Sequence, residues 1–296
     1  MLRRFAWATL VFNLIVILLG ANVRATGSGA GCGASWPTCE GRLIPSDASV
    51  ATWTEFTHRA ASGVALVAVF VLAALVFRSF DKGSLVRSAA VWSMGAILSE
   101  AAIGAAIVLF EWVANDSSVA RLLAVPLHLV NTFVLLAALT VTAWWVDHSP
   151  AARPAVPRPL WWAGLGLLLV AATGSVTALA DTLSPATSFS DGLAQDFSSA
   201  GTFLTQVRVL HPVVATLVGA YVAFLGLTRA RPGHQQTTGL VIAAIVGTQV
   251  FAGIANVLLL TPLWVQIFHL ALADCLWIMF VLFVVDESPD RESALV

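Results

Sequence analysis

The sequence predicts an all-α membrane protein whose eight transmembrane helices form two four-helix bundles related by a pseudo-twofold axis. Three observations predict it. Of 296 residues 58% are apolar and only 10% charged, against about 25% charged in an ordinary soluble domain. The apolar residues gather into eight runs of membrane-spanning length. The last four runs then repeat features of the first four in the same order. A net charge of −1 provides no basic tract, so nucleic acid is not an expected partner. Three cysteines are too few for a disulfide scaffold.

The first run, 5–23, continues through Arg24 without a small-residue cleavage site, and it reads as a retained helix rather than a signal peptide. The others, bounded by charges, Pro or Gly, are 57–77, 86–110, 120–146, 160–180, 205–228, 238–260 and 263–285. An even number of spans brings both termini to one side. Arg3, Arg4, Arg78, Lys82, Arg87, Arg153, Arg158, Arg229, Arg231 and Arg291 fall on that side, against Arg24, Arg42, Arg121 and Arg208 opposite. Basic loops stay in the cytoplasm, so the termini are expected there. Two long acidic segments, 24–54 and 181–204, then lie outside. Trp144, Trp145, Trp161 and Trp162 bracket an inner loop that carries Pro150, Pro154, Pro157 and Pro159, as in an interfacial aromatic belt.

The repeat divides the chain into 1–150 and 151–296. Thr26-Gly27-Ser28 is echoed by Thr173-Gly174-Ser175, and Glu100 with Gly104, Ala106 and Val108 by Gln249 with Gly253, Ala255 and Val257. Each even-numbered span carries one histidine in its first two turns: His58, His128, His211 and His269. Only His148 and His234 are left, both in inner loops. A lone intramembrane histidine is often just hydrogen-bonded. Four at one depth form two pairs, His58 with His128 and His211 with His269, and two histidines on facing helices can clamp a haem iron. Zinc or di-iron would require further Cys or carboxylate ligands.

The halves differ in charge. Glu55 stands three residues before His58, and Arg208 three before His211. A carboxylate beside a haem edge can move protons, and a guanidinium suits a haem propionate. Alternatively, Glu55 closes a capping box with Thr52 and Arg208 is an interfacial anchor. Cys32 and Cys39, with six residues between them, form a disulfide in an oxidising compartment. Cys275 reads as a packed thiol. Glu100 and Asp274 are candidates for a proton path or for interhelical hydrogen bonding.

Taken together, Arg24-Ala25-Thr26-Gly27-Ser28-Gly29, Cys32, Trp36-Pro37-Thr38-Cys39, Glu55-Phe56-Thr57-His58-Arg59, His128, Arg208-Val209-Leu210-His211-Pro212, Gly253-Ile254-Ala255-Asn256-Val257 and His269-Leu270-Ala271-Leu272-Ala273-Asp274 resemble the haem A synthase family over nearly the whole chain. The resemblance implies a membrane oxidoreductase that converts the C8 methyl of haem O to a formyl group by successive hydroxylations, for cytochrome oxidase assembly. It implies haem O as substrate between His58 and His128, with Glu55 near the reacting methyl, and a resident haem b between His211 and His269. Family members link the loop cysteine pair to haem handling. Some carry a second pair in the other outer loop, which this sequence lacks. The expected site is therefore Glu55, His58 and His128 as catalytic residues, Arg208, His211 and His269 around the cofactor, and Cys32 and Cys39 as a staple. Expected partners are membrane lipid, the haem O synthase that supplies substrate and an electron donor; a homo-oligomer is compatible with the sequence. The expected location is the cell membrane, with the haem sites toward its outer face.

The main rival is a di-haem cytochrome carrying electrons from quinol, but its haems would lie toward both faces, and here all four histidines share one. A haem exporter would keep an open iron position. A repeat-built transporter would show paired helix breaks at mid-depth.

Overall fold

The computed structural model describes residues 1–46, 48–150, 152, 155–197, 202–230 and 234–286. Among them the regular elements are all helical, without strands. The helices are α1 (Leu2–Ala25), α2 (Val50–Ser79), α3 (Leu85–Leu109), α4 (Val119–Asp147), α5 (Arg158–Leu183), α6 (Phe189–Phe197), α7 (Phe203–Val207), α8 (Leu210–Arg229), α9 (His234–Leu258) and α10 (Leu263–Asp286). Eight segments are long and apolar enough to cross a membrane, α7 and α8 together making one of them. The protein is a multi-pass membrane protein. Arg153, Pro154, Arg231 and Arg291, used above for orientation or the proline-rich loop, lie outside the described residues.

Helix starts follow local chemistry. α2 begins seven residues before the apolar run because the Ser49 hydroxyl accepts from the Thr52 N–H, satisfying a donor that the first turn leaves open. The cap is thus Ser49, and the capping box expected between Thr52 and Glu55 does not form. Ser84 and Ser118 cap α3 and α4 in the same way. As a consequence His58 and His128 fall in the third turn of their helices rather than the first two. The span read as 205–228 is broken between α7 and α8. Pro212 has no N–H to give to the Arg208 carbonyl, which instead receives the His211 N–H at 3.4 Å and the Thr177 hydroxyl at 3.4 Å.

Packing links α1 to α2, α2 to α3, α3 to α4 and α4 back to α1; α5 packs on α8, α8 on α9 and α9 on α10, with a lighter contact from α10 to α5. The two groups meet where α4 lies against α5 and α10 and α1 against α10. The core runs through this seam, from Leu72, Val76, Leu136 and Leu139 to Leu160, Trp277, Phe280 and Phe283. Trp277 of α10 donates its indole N–H to the Phe133 carbonyl of α4 at 2.7 Å and packs against the Phe133 ring. Outward faces carry exposed Val64, Val67, Trp92, Leu98, Leu217 and Phe224, as lipid contact requires. Trp161 and Trp162 are also exposed, in keeping with the aromatic belt. His148 caps the end of α4, bonded to the Trp144 carbonyl and stacked on its ring. His234 is the first residue of α9 rather than part of a loop.

Candidate functional site

Each site histidine lies against a glycine on the odd-numbered span beside it. A Cβ on Gly20 would stand 2.9 Å from His58 Cε1, and one on Gly174 2.9 Å from His211 Cε1. The corresponding distances are 3.6 Å from Gly104 to His128 and 3.4 Å from Gly253 to His269. Glycine inside a helix costs about 1 kcal/mol relative to alanine, and close approach of an imidazole is what it provides here. The partner of His58 is Gly20, a residue that no sequence motif marks. The Thr26-Gly27-Ser28 echo is not a structural one: Gly27 sits past the end of α1 at φ 66° with open space around it, whereas Gly174 lies mid-helix under His211.

The His211 and His269 rings lie edge-on to one another with centroids 6.5 Å apart and planes at 82°. His58 and His128 lie within electrostatic reach of each other. Nδ1 of His58, His128 and His269 is buried without an aligned hydrogen-bond partner, and Nδ1 of His211 is 3.3 Å from the Thr173 hydroxyl. On α3, Glu100 Oε1 stands 3.3 Å from His128 Nδ1, off the line of a hydrogen bond. Its carboxylate accepts from Asn131 Nδ2 and from the Thr132 hydroxyl, each at 2.5 Å. At the matching place on α9, Gln249 Nε2 lies 3.3 Å from His269 Nε2 and donates to the His269 carbonyl at 3.1 Å.

Glu55 and Arg208 each hold an outer loop. Glu55, 2% exposed, accepts the Cys32 N–H at 2.7 Å and pairs with Arg59 one turn on. Arg59 in turn donates to the carbonyls of Ser35 and Thr38. Cys32 and Cys39 are disulfide-bonded and buried, so the first outer loop is stapled to itself and clamped to α2. In the second half Arg208 donates to Asp181 Oδ1 at 2.8 Å and through Nε to Asp196 Oδ1 at 2.8 Å. That ties α6 and the end of α5 to α7 without cysteines. Neither aspartate stands out in the sequence as a partner. Arg24 reaches across the seam, donating to the Ala178 carbonyl, the Thr182 hydroxyl and Gln266 Oε1 at 2.7 to 2.9 Å. Asp274 is fully buried, and its oxygens have no hydrogen-bond partner. Cys275 is a free thiol, partly buried.

A family model described as cytochrome oxidase assembly protein, COX15-CtaA, matches residues 3–281. The chain belongs to this family. Among curated proteins it is 43% identical, over 289 residues, to a protoheme IX farnesyltransferase of Thermus thermophilus, a match that covers 95% of this chain and 47% of the relative. The chain therefore spans about half the length of that relative. It is 27% identical over 264 residues to a heme A synthase of Exiguobacterium sibiricum, covering 88% of this chain and 87% of that one. A heme A synthase of Lysinibacillus sphaericus is 28% identical over 287 residues, covering 93% and 92%. All four histidines, their glycines and both loop clamps fall inside the region that the family model matches.

The glycine contacts predict a graded response. Gly174→Val places a branched side chain where even a Cβ would meet the His211 ring at 2.9 Å, and should displace the imidazole. The variant is then expected to lose about 1–3 kcal/mol of stability, the usual cost of overpacking. Gly104→Ala, at 3.6 Å, should leave the first half close to wild type. Unfolding in detergent, compared with the unchanged protein, checks both.

Proposed function

We propose that this chain makes haem A for cytochrome oxidase by oxidising the C8 methyl group of haem O to a formyl group. The observation that carries the reading is the set of four histidines at one end of the spans, each with a glycine opposite. Iron held by two imidazoles requires about 2 Å on each side, hence roughly 6 Å between ring centres. The 6.5 Å between His211 and His269 fits this. Among the described residues no cluster of three His, Cys, Asp or Glu side chains would hold a bare ion, whereas a porphyrin brings its own four nitrogens.

In this reading residues 1–150 form the substrate half and residues 151–296 the cofactor half, related by a pseudo-twofold axis along the membrane normal. His58 and His128 hold the haem O iron. His211 and His269 hold a resident haem b, which when bound supplies one-electron transfer. Turning methyl into formyl removes two hydrogens, adds one oxygen and, with water as the oxygen source, releases four electrons and four protons; the reaction therefore requires water with an external electron acceptor, or dioxygen with a reductant. Both oxygens of Glu55 are committed, to Cys32 and Arg59. That suits a fixed negative charge that stabilises positive charge developing at the methyl carbon, more than proton transfer, which requires a free oxygen. Arg208 serves a haem propionate only in competition with Asp181 and Asp196; its firmer role is to hold the second outer loop. The termini are cytoplasmic and the sites face outward across the cell membrane. The Thermus relative is named for farnesyl transfer and is about twice as long. We assign that transfer to the part this chain does not match, which makes a haem O-forming farnesyltransferase the expected partner.

The test is production of the protein in a host that makes haem O but not haem A, with the haems extracted and separated. Haem A, or its hydroxylated precursor, is expected. Haem b with haem O untouched would overturn the reading in favour of a di-haem electron carrier. Haem O appearing in a host that lacks it would show that this chain transfers farnesyl itself.

A further inference from the structure

The two halves differ in one contact that bears on the iron ligands themselves. Glu100 and Gln249 occupy matching places, each four residues before a glycine that faces the histidine of the next span. Glu100 brings a carboxylate oxygen 3.3 Å from His128 Nδ1. Gln249 brings a neutral amide to the Nε2 and carbonyl of His269; Nδ1 of neither histidine has an aligned hydrogen bond, so the halves differ in the charge held beside the ring. The amide of Asn131 and the hydroxyl of Thr132 both donate to Glu100, and Asn131 is itself held by the Ala96 carbonyl and the Ser99 hydroxyl. The carboxylate is thus fixed as an acceptor facing the ring. A carboxylate beside the second nitrogen of a ligating histidine orients the ring, sets its tautomer and makes it a stronger donor to the metal; an amide does this less.

Resting on the assignment of both histidine pairs to haem iron, we propose that Glu100 is a positioning residue that makes His128 the stronger iron donor of the two helix-end histidines and so lowers the reduction potential of the first-half haem relative to the second. A strong anionic donor favours the oxidised iron. An electron leaving the first half then finds a better acceptor in the second.

The test is a potential titration, followed by absorbance, of the purified holoprotein and of the variants E100Q, Q249E and H128A. H128A identifies the first-half component as the one it removes. E100Q is expected to raise the potential of that component by roughly tenfold in the reduction equilibrium, about 59 mV for a one-electron couple, with the other component unmoved. Q249E is expected to lower the other component, and decides the matter alone if E100Q does not accumulate. E100Q that keeps both haems and moves neither potential, or moves the component that survives H128A, overturns the proposal while leaving the histidine assignment standing. If H128A removes no component, the haem assignment itself falls, and this inference with it.

Discussion

Replacing His211 with alanine is expected to strip haem b from the second half. His269→Ala should do the same, whereas His58→Ala and His128→Ala should leave that haem in place and abolish capture of haem O. An axial ligand lost outright should cost more than the roughly 10–100-fold in affinity that loss of an orienting neighbour costs. At ordinary protein concentrations that empties the site. The four variants divide the molecule because the pairs are built from separate helices, α2 with α4 and α8 with α10. Haem extracted per mole of protein, with the absorption of the reduced low-spin form, reads the result. Wild-type haem b content in both His211→Ala and His269→Ala would remove the assignment of the resident site.

What is legible in the sequence is what is chemically scarce. Charged and imidazole side chains are expensive in lipid, so the four span histidines, Glu55 and Arg208 stand out from an apolar background. The spans themselves follow from apolar length. The glycines that seat the rings are harder to see, since a glycine within an apolar helix has no distinctive neighbours. The Thr-Gly-Ser triplet even directs attention to Gly27, when Gly20 is the residue under His58. Partners from distant parts of the chain are also hidden. Arg59 reads only as part of a motif because its acceptors are loop carbonyls at Ser35 and Thr38, and carbonyls carry no sequence identity. The start of α2 escapes an apolar count because a hydroxyl cap at Ser49 extends the helix through polar residues.

The equivalent positions of Glu55 and Arg208 suggest opposite charges offered to two haems. In the structure each is spent on its own outer loop, and so the acid can be tested apart from the chemistry. Arg59→Ala leaves the Glu55 carboxylate, 2% exposed, without its counter-charge. Breaking one side of a buried pair costs about 3–5 kcal/mol, the largest stability loss expected for any single change here. Glu55→Gln keeps an acceptor for the Cys32 N–H and leaves Arg59 without its counter-charge but still donating to the Ser35 and Thr38 carbonyls, and is expected to cost about 1–3 kcal/mol. The double variant should be less damaged than the sum, because no unpaired carboxylate remains. Unfolding in detergent, together with protease cutting within 28–46, measures each. Damage in the double variant equal to the sum of the two single variants would refute the clamp. Glu55→Gln then separates two roles: loss of haem A formation with the loop still protected and haem still bound places the charge at the reacting methyl, whereas loss that tracks loop release makes Glu55 a positioning residue for the disulfide-bearing lid.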